Sequence, residues 1–336
     1  MKVLLLGATG LLGHNVLLRL LDEGHAVVAV VRDTGRLKLP EHEANLPSLT
    51  LLTMTAAGLP ALPPVDAIVN CAGTTDMSLL HYKDYLPGNK RLVEQLLQLM
   101  DEARIGTLVH VSTANTIGYG TATAPGNEEQ PMRMPFAASF YARSKREGEQ
   151  LIEWAAVEHP ERHLVILNPG FMVGAYDVKP SSGKLLLAAY RHRVMAAPKG
   201  GKSFVHVADV AAAAVNALTM GRNGERYLLT GEEMSLKSFY ALQAEVCGYR
   251  QRLVELPSWM VRVAGRMGDL LRWLHLATQL STSNVRQLIV MEHYSNDKAR
   301  RELGFHTTPV ATAIRDFFAW RVSEKAGMKK NANFVT

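Results

Sequence analysis

Tyr141 and Lys145 stand four residues apart in SFYARSKREGEQ, residues 139–150, a spacing that puts both side chains on one face of a helix. An ammonium beside a phenol favours the phenolate, so the pair reads as a general acid drawn toward neutrality. The plainer reading is a tyrosine next to a solvated lysine. Tyr-x-x-x-Lys acquires meaning only from what surrounds it, and the strongest surrounding signal lies at the other end of the chain. MKVLLLGATGLLGHNVLLRLLDEGHAVVAVVRD reads as a buried strand, a glycine-rich turn, an apolar-periodic helix ending near Gly24 and a second buried strand. In Gly7-x-x-Gly10-x-x-Gly13 one glycine serves the tight turn, one the approach of backbone to a pyrophosphate and one the close packing of helix on strand. The helix N-terminus behind them offers N–H groups and a positive dipole to phosphate.

The elements that must position these groups continue the alternation. VDAIVNCAG (65–73), IGTLVHVSTANTIGYG (105–120) and HLVILNPGFMVG (163–174) are apolar runs ending in small and polar residues, and NKRLVEQLLQLMDEA forms an amphipathic helix between the first two. Strands alternating with helices imply an α/β, Rossmann-like, doubly wound parallel sheet whose ligands bind beyond the carboxyl ends of the strands. Those ends carry Asn70 to Gly73, Ser112 to Asn115 and Asn168 to Gly174.

Composition sets the outer bounds. The 336 residues, 47% hydrophobic, suffice for one large domain or two smaller ones. With two cysteines, Cys71 and Cys247, and no charged-then-apolar leader, a reducing cytoplasm is expected. The net charge of +6 is spread among acids rather than massed in a run, which favours an ordinary solvated surface over a nucleic-acid partner. No apolar run reaches membrane-spanning length, and no cluster has metal-ligand spacing.

GATGLLG, NCAG, VSTANTIGYG, YARSK, NPGFMVGAYDVKPSSG and FVHVADVA, in that order, resemble the extended short-chain dehydrogenase/reductases, of the NAD-dependent epimerase/dehydratase type, and most of all their dihydroflavonol-reductase-like branch. The resemblance runs from Met1 to about Trp320. It implies a dinucleotide-binding domain over 1–170, a smaller C-terminal substrate-binding lobe over 171–325 with segments returning to the sheet, and a tail over 326–336. It implies that Tyr141 exchanges a proton with the substrate oxygen. Lys145 would lower the tyrosine's pKa and bond the nicotinamide ribose, and Thr113, with Ser112 as the alternative, would bond the substrate carbonyl. Asn89 would prop the active-site backbone, although an asparagine after glycine is equally a helix cap. His206 falls in a structural motif. Cofactor contacts are expected from Gly7, Thr9, Gly10, Leu11, Leu12, Gly13, Arg32, Cys71, Ala72, Gly73, Pro169 and Met172.

Two departures from the family pattern refine the expectation. Val31 stands where NAD-preferring relatives carry an acid at the end of the second strand. Arg32, Arg36 and Lys38 follow it, which favours NADP over NAD by charge-assisted bonds to a 2′-phosphate; Asp33 is the counterweight, and 49–57 lacks the aspartate that many relatives place near the adenine. Phe171 stands where sugar-nucleotide epimerases carry a phosphate-binding asparagine, so an apolar ketone, aldehyde or secondary alcohol in a pocket with Met77, Met172 and Tyr119 is expected over a nucleotide sugar. Lys179, Lys184 and Arg191 remain available to an anionic group. The alternatives are an epimerase or dehydratase and a non-catalytic dinucleotide sensor, the latter disfavoured by the proton donor. In 257–276 Trp259, Val263, Met267, Leu270 and Leu274 share a helical face, with Arg262, Arg266 and Asp269 expected opposite. A lid or core helix is the expected use, in preference to a membrane-surface helix. A small-molecule partner and a monomer or homodimer complete the expectation.

Overall fold

The computed structural model describes residues 1–37, 39, 46–55, 58–178, 180–276, 278 and 280–332. Its first half alternates: Lys2–Leu6 (β1), Leu11–Asp22 (α1), Ala26–Val31 (β2), Leu49–Thr53 (β3), Ala67–Asn70 (β4), Leu92–Ala103 (α2), Thr107–Val111 (β5), Phe140–Glu158 (α3) and His163–Pro169 (β6). Then follow Phe171–Val173 (β7), Gly183–Ala189 (α4), Val194–Pro198 (β8), Gly201–His206 (β9), Val207–Asn216 (α5), Arg226–Leu229 (β10) and Glu232–Ser235 (β11). Leu236–Val246 (α6), Arg252–Leu256 (β12), Ser258–Trp273 (α7), Thr282–Arg286 (α8), Asp297–Leu303 (α9) and Val310–Ala332 (α10) complete the chain.

Strands with no polar face must be covered on both sides, and β1, KVLLL, shows how. Successive side chains point to opposite faces. Val3 and Leu5 enter a core with Leu17 and Leu20 of α1 and Val210 of α5, while Leu4 and Leu6 enter a second core with Leu96 of α2 and Ile152 of α3. The resulting seven-stranded sheet runs β10-β6-β5-β4-β1-β2-β3, all pairs parallel. The chain reverses its winding after β3 to set β4 against β1, and such a switch point opens a crevice at the carboxyl ends.

The segment 163–174, expected as one strand, is two. β6 ends at Pro169 in the large sheet, and β7 begins at Phe171 in a separate sheet of order β11-β9-β7. Gly170 makes the change possible: a Cβ there would lie 2.6 Å from the Ser203 carbonyl oxygen of β9. A parallel pair, β8 with β12, flanks this smaller sheet. Its core stacks Phe204 on Phe239 at 4.1 Å and sets Phe171 edge-on to Phe204 at 5.4 Å, with Ile314 and Phe317 of α10 alongside.

The helix expected over 257–276 forms as α7, but its orientation corrects the expectation. Val261, Gly265 and Gly268 face the protein, whereas Trp259, Val263, Met267, Leu270 and Leu274 are exposed. It is therefore no core helix, and the face opposite its large apolar side chains is built around Val261, Gly265 and Gly268 rather than Arg262 and Arg266, which are exposed. No helix among the described residues is long and apolar enough to cross a membrane.

Candidate active site

The glycine-rich turn connects β1 to α1 at the switch point. Gly7 has φ +81° and packs so tightly on the end of β4 that a Cβ would lie 2.7 Å from the Cys71 carbonyl carbon and the Ala72 nitrogen. A Cβ at Gly13 would overlap the Gly7 carbonyl. Gly10 caps α1 without a side-chain bond, so the first helical N–H groups, at Leu11 and Leu12, keep the unpaired geometry that binds phosphate. Three glycines thus form a cradle that any side chain would fill, with Thr9 half-buried in the turn and Cys71 to Gly73 forming its far wall. Burial pushes the Cys71 thiol up to about 12, so it behaves as a small neutral wall residue. These residues fit a dinucleotide pyrophosphate.

Ser139 caps α3 by accepting from the Ala142 N–H, and Tyr141 and Lys145 follow on one face. The Lys145 Nζ donates to the Val111 carbonyl at 2.7 Å, and a Cβ on Gly73 would lie 3.3 Å from it. Lys145 therefore joins the ends of β4 and β5. Asn89, expected as either a prop or a helix cap, sits in the π-helical turn Pro87–Arg91 that leads into α2. Its carboxamide accepts from the Thr74 N–H at 2.7 Å, donates to the Thr74 carbonyl at 3.0 Å and to Ser144 Oγ at 2.9 Å. It ties the segment after β4 to α3.

The electrostatics differ from the expectation in one respect. Burial pushes the Tyr141 phenol up to about 12, the Thr113 hydroxyl beside it works in the opposite sense, and Lys145 contributes no resolved lowering. Lys145 is itself depressed to about 8 by burial, partly offset by Glu149. Desolvation, rather than the lysine, sets the direction in which the phenol moves. His110, buried between Asn70 and Lys145, is held well below its usual range by burial first and Lys145 second. Thr113 caps the short turn Ala114–Thr116 by accepting from the Asn115 N–H, while the buried Ser112 Oγ has no partner among the described residues.

Sequence reading missed Glu149. Fully buried one turn beyond Lys145, its carboxylate accepts from Thr116 Oγ1 at 2.7 Å, Asn168 Nδ2 at 2.7 Å and Arg146 Nη1 at 3.0 Å. Asn168 also donates to the Thr113 carbonyl at 3.1 Å. The network fixes the loop carrying Thr113 against α3 and the end of β6. The only signal in the sequence was an acid on the helical face that Tyr141 and Lys145 share, at i+8 and i+4.

A cavity of about 280 Å³ lies at the start of α3, lined by Met77, Leu80, Tyr85, Ser139, Phe140 and, from α7, Arg272 among others; Phe140 immediately precedes Tyr141, but Tyr141, Thr113 and Lys145 are not part of its lining. A larger groove, about 610 Å³, lies between 59–65 and the end of α2, beside the amino ends of β4 and β5. Of the expected substrate contacts, Met77 lines the smaller cavity. Tyr119 packs edge-on to Phe136 and donates to the Met134 carbonyl, and Phe171 belongs to the packing around Phe204. Pro169 is buried at the end of β6, and Met172 packs against the core beside α1. At the end of β2 Arg32 is exposed, and Asp33 is engaged in its own turn by the Gly35 N–H at 3.0 Å and Arg36 at 3.1 Å. Lys184 and Arg191 are exposed, the latter over the Tyr190 ring; Lys38 and Lys179 lie outside the described residues. His206 caps α5 and pairs with Asp316 at 2.9 Å, a structural position. No group of three or more potential metal ligands occurs among the described residues.

Residues 3–230 match the model of the NAD dependent epimerase/dehydratase family. The chain is 29% identical over 314 residues, 91% of its length and 92% of the relative's, to a 4-hydroxy-2-methyl-3-oxo-4-farnesyl-3,4-dihydroquinoline-1-oxide ketoreductase of Stigmatella aurantiaca. It is 25% identical over 327 residues, 94% and 92% of the two chains, to a putative dihydroflavonol 4-reductase of Synechocystis. The crystal structure of gox2253 superposes with a TM-score of 0.78 over 96% of this chain and 98% of that one at 24% identity, a likeness that shows the fold.

Proposed function

The chain belongs to the NAD dependent epimerase/dehydratase family and is an NAD(P)-dependent oxidoreductase of the extended short-chain type; from that premise we propose that it reduces the carbonyl of a largely apolar small molecule, with NADPH as the preferred donor. The observation that carries the reading is the convergence of Tyr141, Thr113 and Lys145 at the strand ends beside the glycine cradle. When bound, the dinucleotide supplies the hydride that reaches the carbonyl carbon. With its phenol near 12, Tyr141 is ionised in only about one molecule in 10⁵ at neutral pH, the state of a donor. Thr113 and Tyr141 hydrogen-bond the carbonyl oxygen, and as charge gathers there the phenol proton passes to it. The Lys145 ammonium then faces the phenolate left behind and favours it electrostatically, a stabilisation that matters only once the proton has moved. Solvent returns the proton to Tyr141.

NADPH is favoured because Asp33 is held by its own turn, which leaves the exposed Arg32 as the group at the end of β2 suited to a 2′-phosphate. The apolar substrate is favoured by Met77, Leu80 and Phe140 in the adjoining cavity and by the farnesyl-bearing substrate in the name of the Stigmatella relative. Asn89, Glu149 and Asn168 position the reacting groups without touching substrate.

Tyr141→Phe tests the assignment. Turnover falls by about two to four orders of magnitude, the usual worth of a positioned acid, while dinucleotide affinity, read by fluorescence titration, stays within about threefold. Near-normal turnover in the variant removes the mechanism. Micromolar binding of a UDP- or dTDP-sugar by calorimetry would instead favour the epimerase reading.

A further inference from the structure

Helix α7 is mounted inside out. Val261, Gly265, Gly268 and Arg272, spaced four, three and four residues apart, form one stripe; Val263, Met267, Leu270 and Leu274 repeat that spacing two residues on and so lie on the opposite side. The protein holds the first stripe. Gly265 and Gly268 pack so closely on Leu280, Thr282 and Val285 that no Cβ fits at either. Asp269 accepts from the Thr282 N–H at 2.9 Å, and Arg272 donates to the Leu79 and Thr278 carbonyls. Water is left with the second stripe, where Trp259, Met267, Leu270 and Leu274 are 65%, 63%, 57% and 53% exposed. Ten of the nineteen exposed large apolar side chains among the described residues fall within 259–280, a concentration that marks an interaction surface rather than the scattered apolar groups of an ordinary exterior.

The charges on this face select the occupant. Arg262 and Arg266 are exposed along one flank of the stripe. The sole acid between 258 and 280 is Asp269, already engaged with the Thr282 N–H. A second copy docking through the same face would set arginines against arginines, whereas an anionic lipid surface complements them. Trp259 and Trp273 stand ~21 Å apart along the helix at 1.5 Å per residue, and tryptophan is the side chain best suited to the boundary between headgroups and acyl chains. Met267 and Leu270 lie between them.

We propose that the exposed face of α7 docks on an anionic lipid bilayer, as an interfacial helix carried on a folded lobe. The cavity at Ser139 and Phe140, the residues just before Tyr141, is lined on one side by Asp269 and Arg272 of the same helix, so the docked helix is one of its walls. Taken with the apolar carbonyl reading, on which this last step rests, the substrate is one dissolved in the membrane and taken up from it.

Co-sedimentation of the full chain with phosphatidylcholine vesicles, with and without phosphatidylglycerol, tests the docking surface. The protein pellets with the anionic vesicles and stays largely in solution with the neutral ones. Arg262→Glu/Arg266→Glu weakens the anionic binding by at least about fivefold for each charge lost. Met267→Glu/Leu270→Glu abolishes it while leaving the thermal melt and the turnover of a water-soluble ketone unchanged. Failure of the wild type to bind anionic vesicles overturns the proposal, as does equal binding by the variants. So does a dimer seen by sedimentation velocity that Met267→Glu/Leu270→Glu dissociates, because the face then belongs to a second copy. The vesicle readout requires no turnover: a chain that binds lipid but reduces no carbonyl refutes the reductase reading and sustains the docking surface.

Discussion

Replacing Lys145 by methionine isolates the cost of holding an ammonium among the strand ends. The side chain is 3% exposed, and burial depresses it from 10.5 to about 8. At about 1.36 kcal/mol per pH unit, that displacement is worth about 3 kcal/mol. Below about pH 8 the folded and unfolded chains both carry the proton and the full cost is present. Between about 8 and 10.5 the unfolded chain keeps the proton that the folded chain has released, so wild-type stability rises with pH across that window. Above it neither state is charged and the cost is gone. Methionine fills much of the same volume without a titrating group. It also removes the donor to the Val111 carbonyl, a loss of about 1–3 kcal/mol that does not depend on pH. Urea denaturation of both proteins at about pH 7 and about pH 10 reads the difference, because other titrating groups are common to the pair. The wild type gains about 2–3 kcal/mol on the variant between the two conditions. A stability difference that stays constant refutes the buried ammonium.

Two further outcomes probe the cofactor site. Gly13→Ala pushes α1 off the turn, since its Cβ would overlap the Gly7 carbonyl; overpacking of this kind costs about 1–3 kcal/mol, to be read as a lower melting temperature together with dinucleotide affinity weakened at least about tenfold. Arg32→Ala weakens NADPH by about tenfold and leaves NADH nearly unchanged, as expected for one charge-assisted phosphate contact; equal dissociation constants for the two dinucleotides in the wild type would refute the preference.

The parts of the site legible in the sequence are those whose meaning is local. Gly7, Gly10 and Gly13 announce their turn because a conformation or a close approach excludes other residues there, and Tyr141 and Lys145 announce their helical face by spacing alone. Glu149 was not legible, since its role depends on Thr116 and Asn168 arriving from two other elements. The break at Gly170 was hidden because HLVILNP and FMV are both good strands and only the Ser203 carbonyl distinguishes one sheet from the next. Periodicity likewise showed which residues of α7 share a face but not which face the protein would occupy. That depended on Gly265 and Gly268, whose lack of side chains is itself the packing signal.

Gly170 has a counterpart in Gly231, where the chain leaves β10 for β11 as it leaves β6 for β7. A Cβ at Gly170 would strike the Ser203 carbonyl and one at Gly231 the Phe204 carbonyl, so both crossings press on adjacent peptides of β9. Since β6 and β10 are neighbours in the large sheet, the two crossings lie side by side and define a single short axis. Each crossing is closed by backbone rather than by a flexible side chain, so the smaller sheet is held to the β6–β10 end of the large one, while the turn at Gly7 lies three strands away from β6. A residue larger than glycine at either crossing would have to displace β9, and with it the smaller sheet, without touching the turn at Gly7.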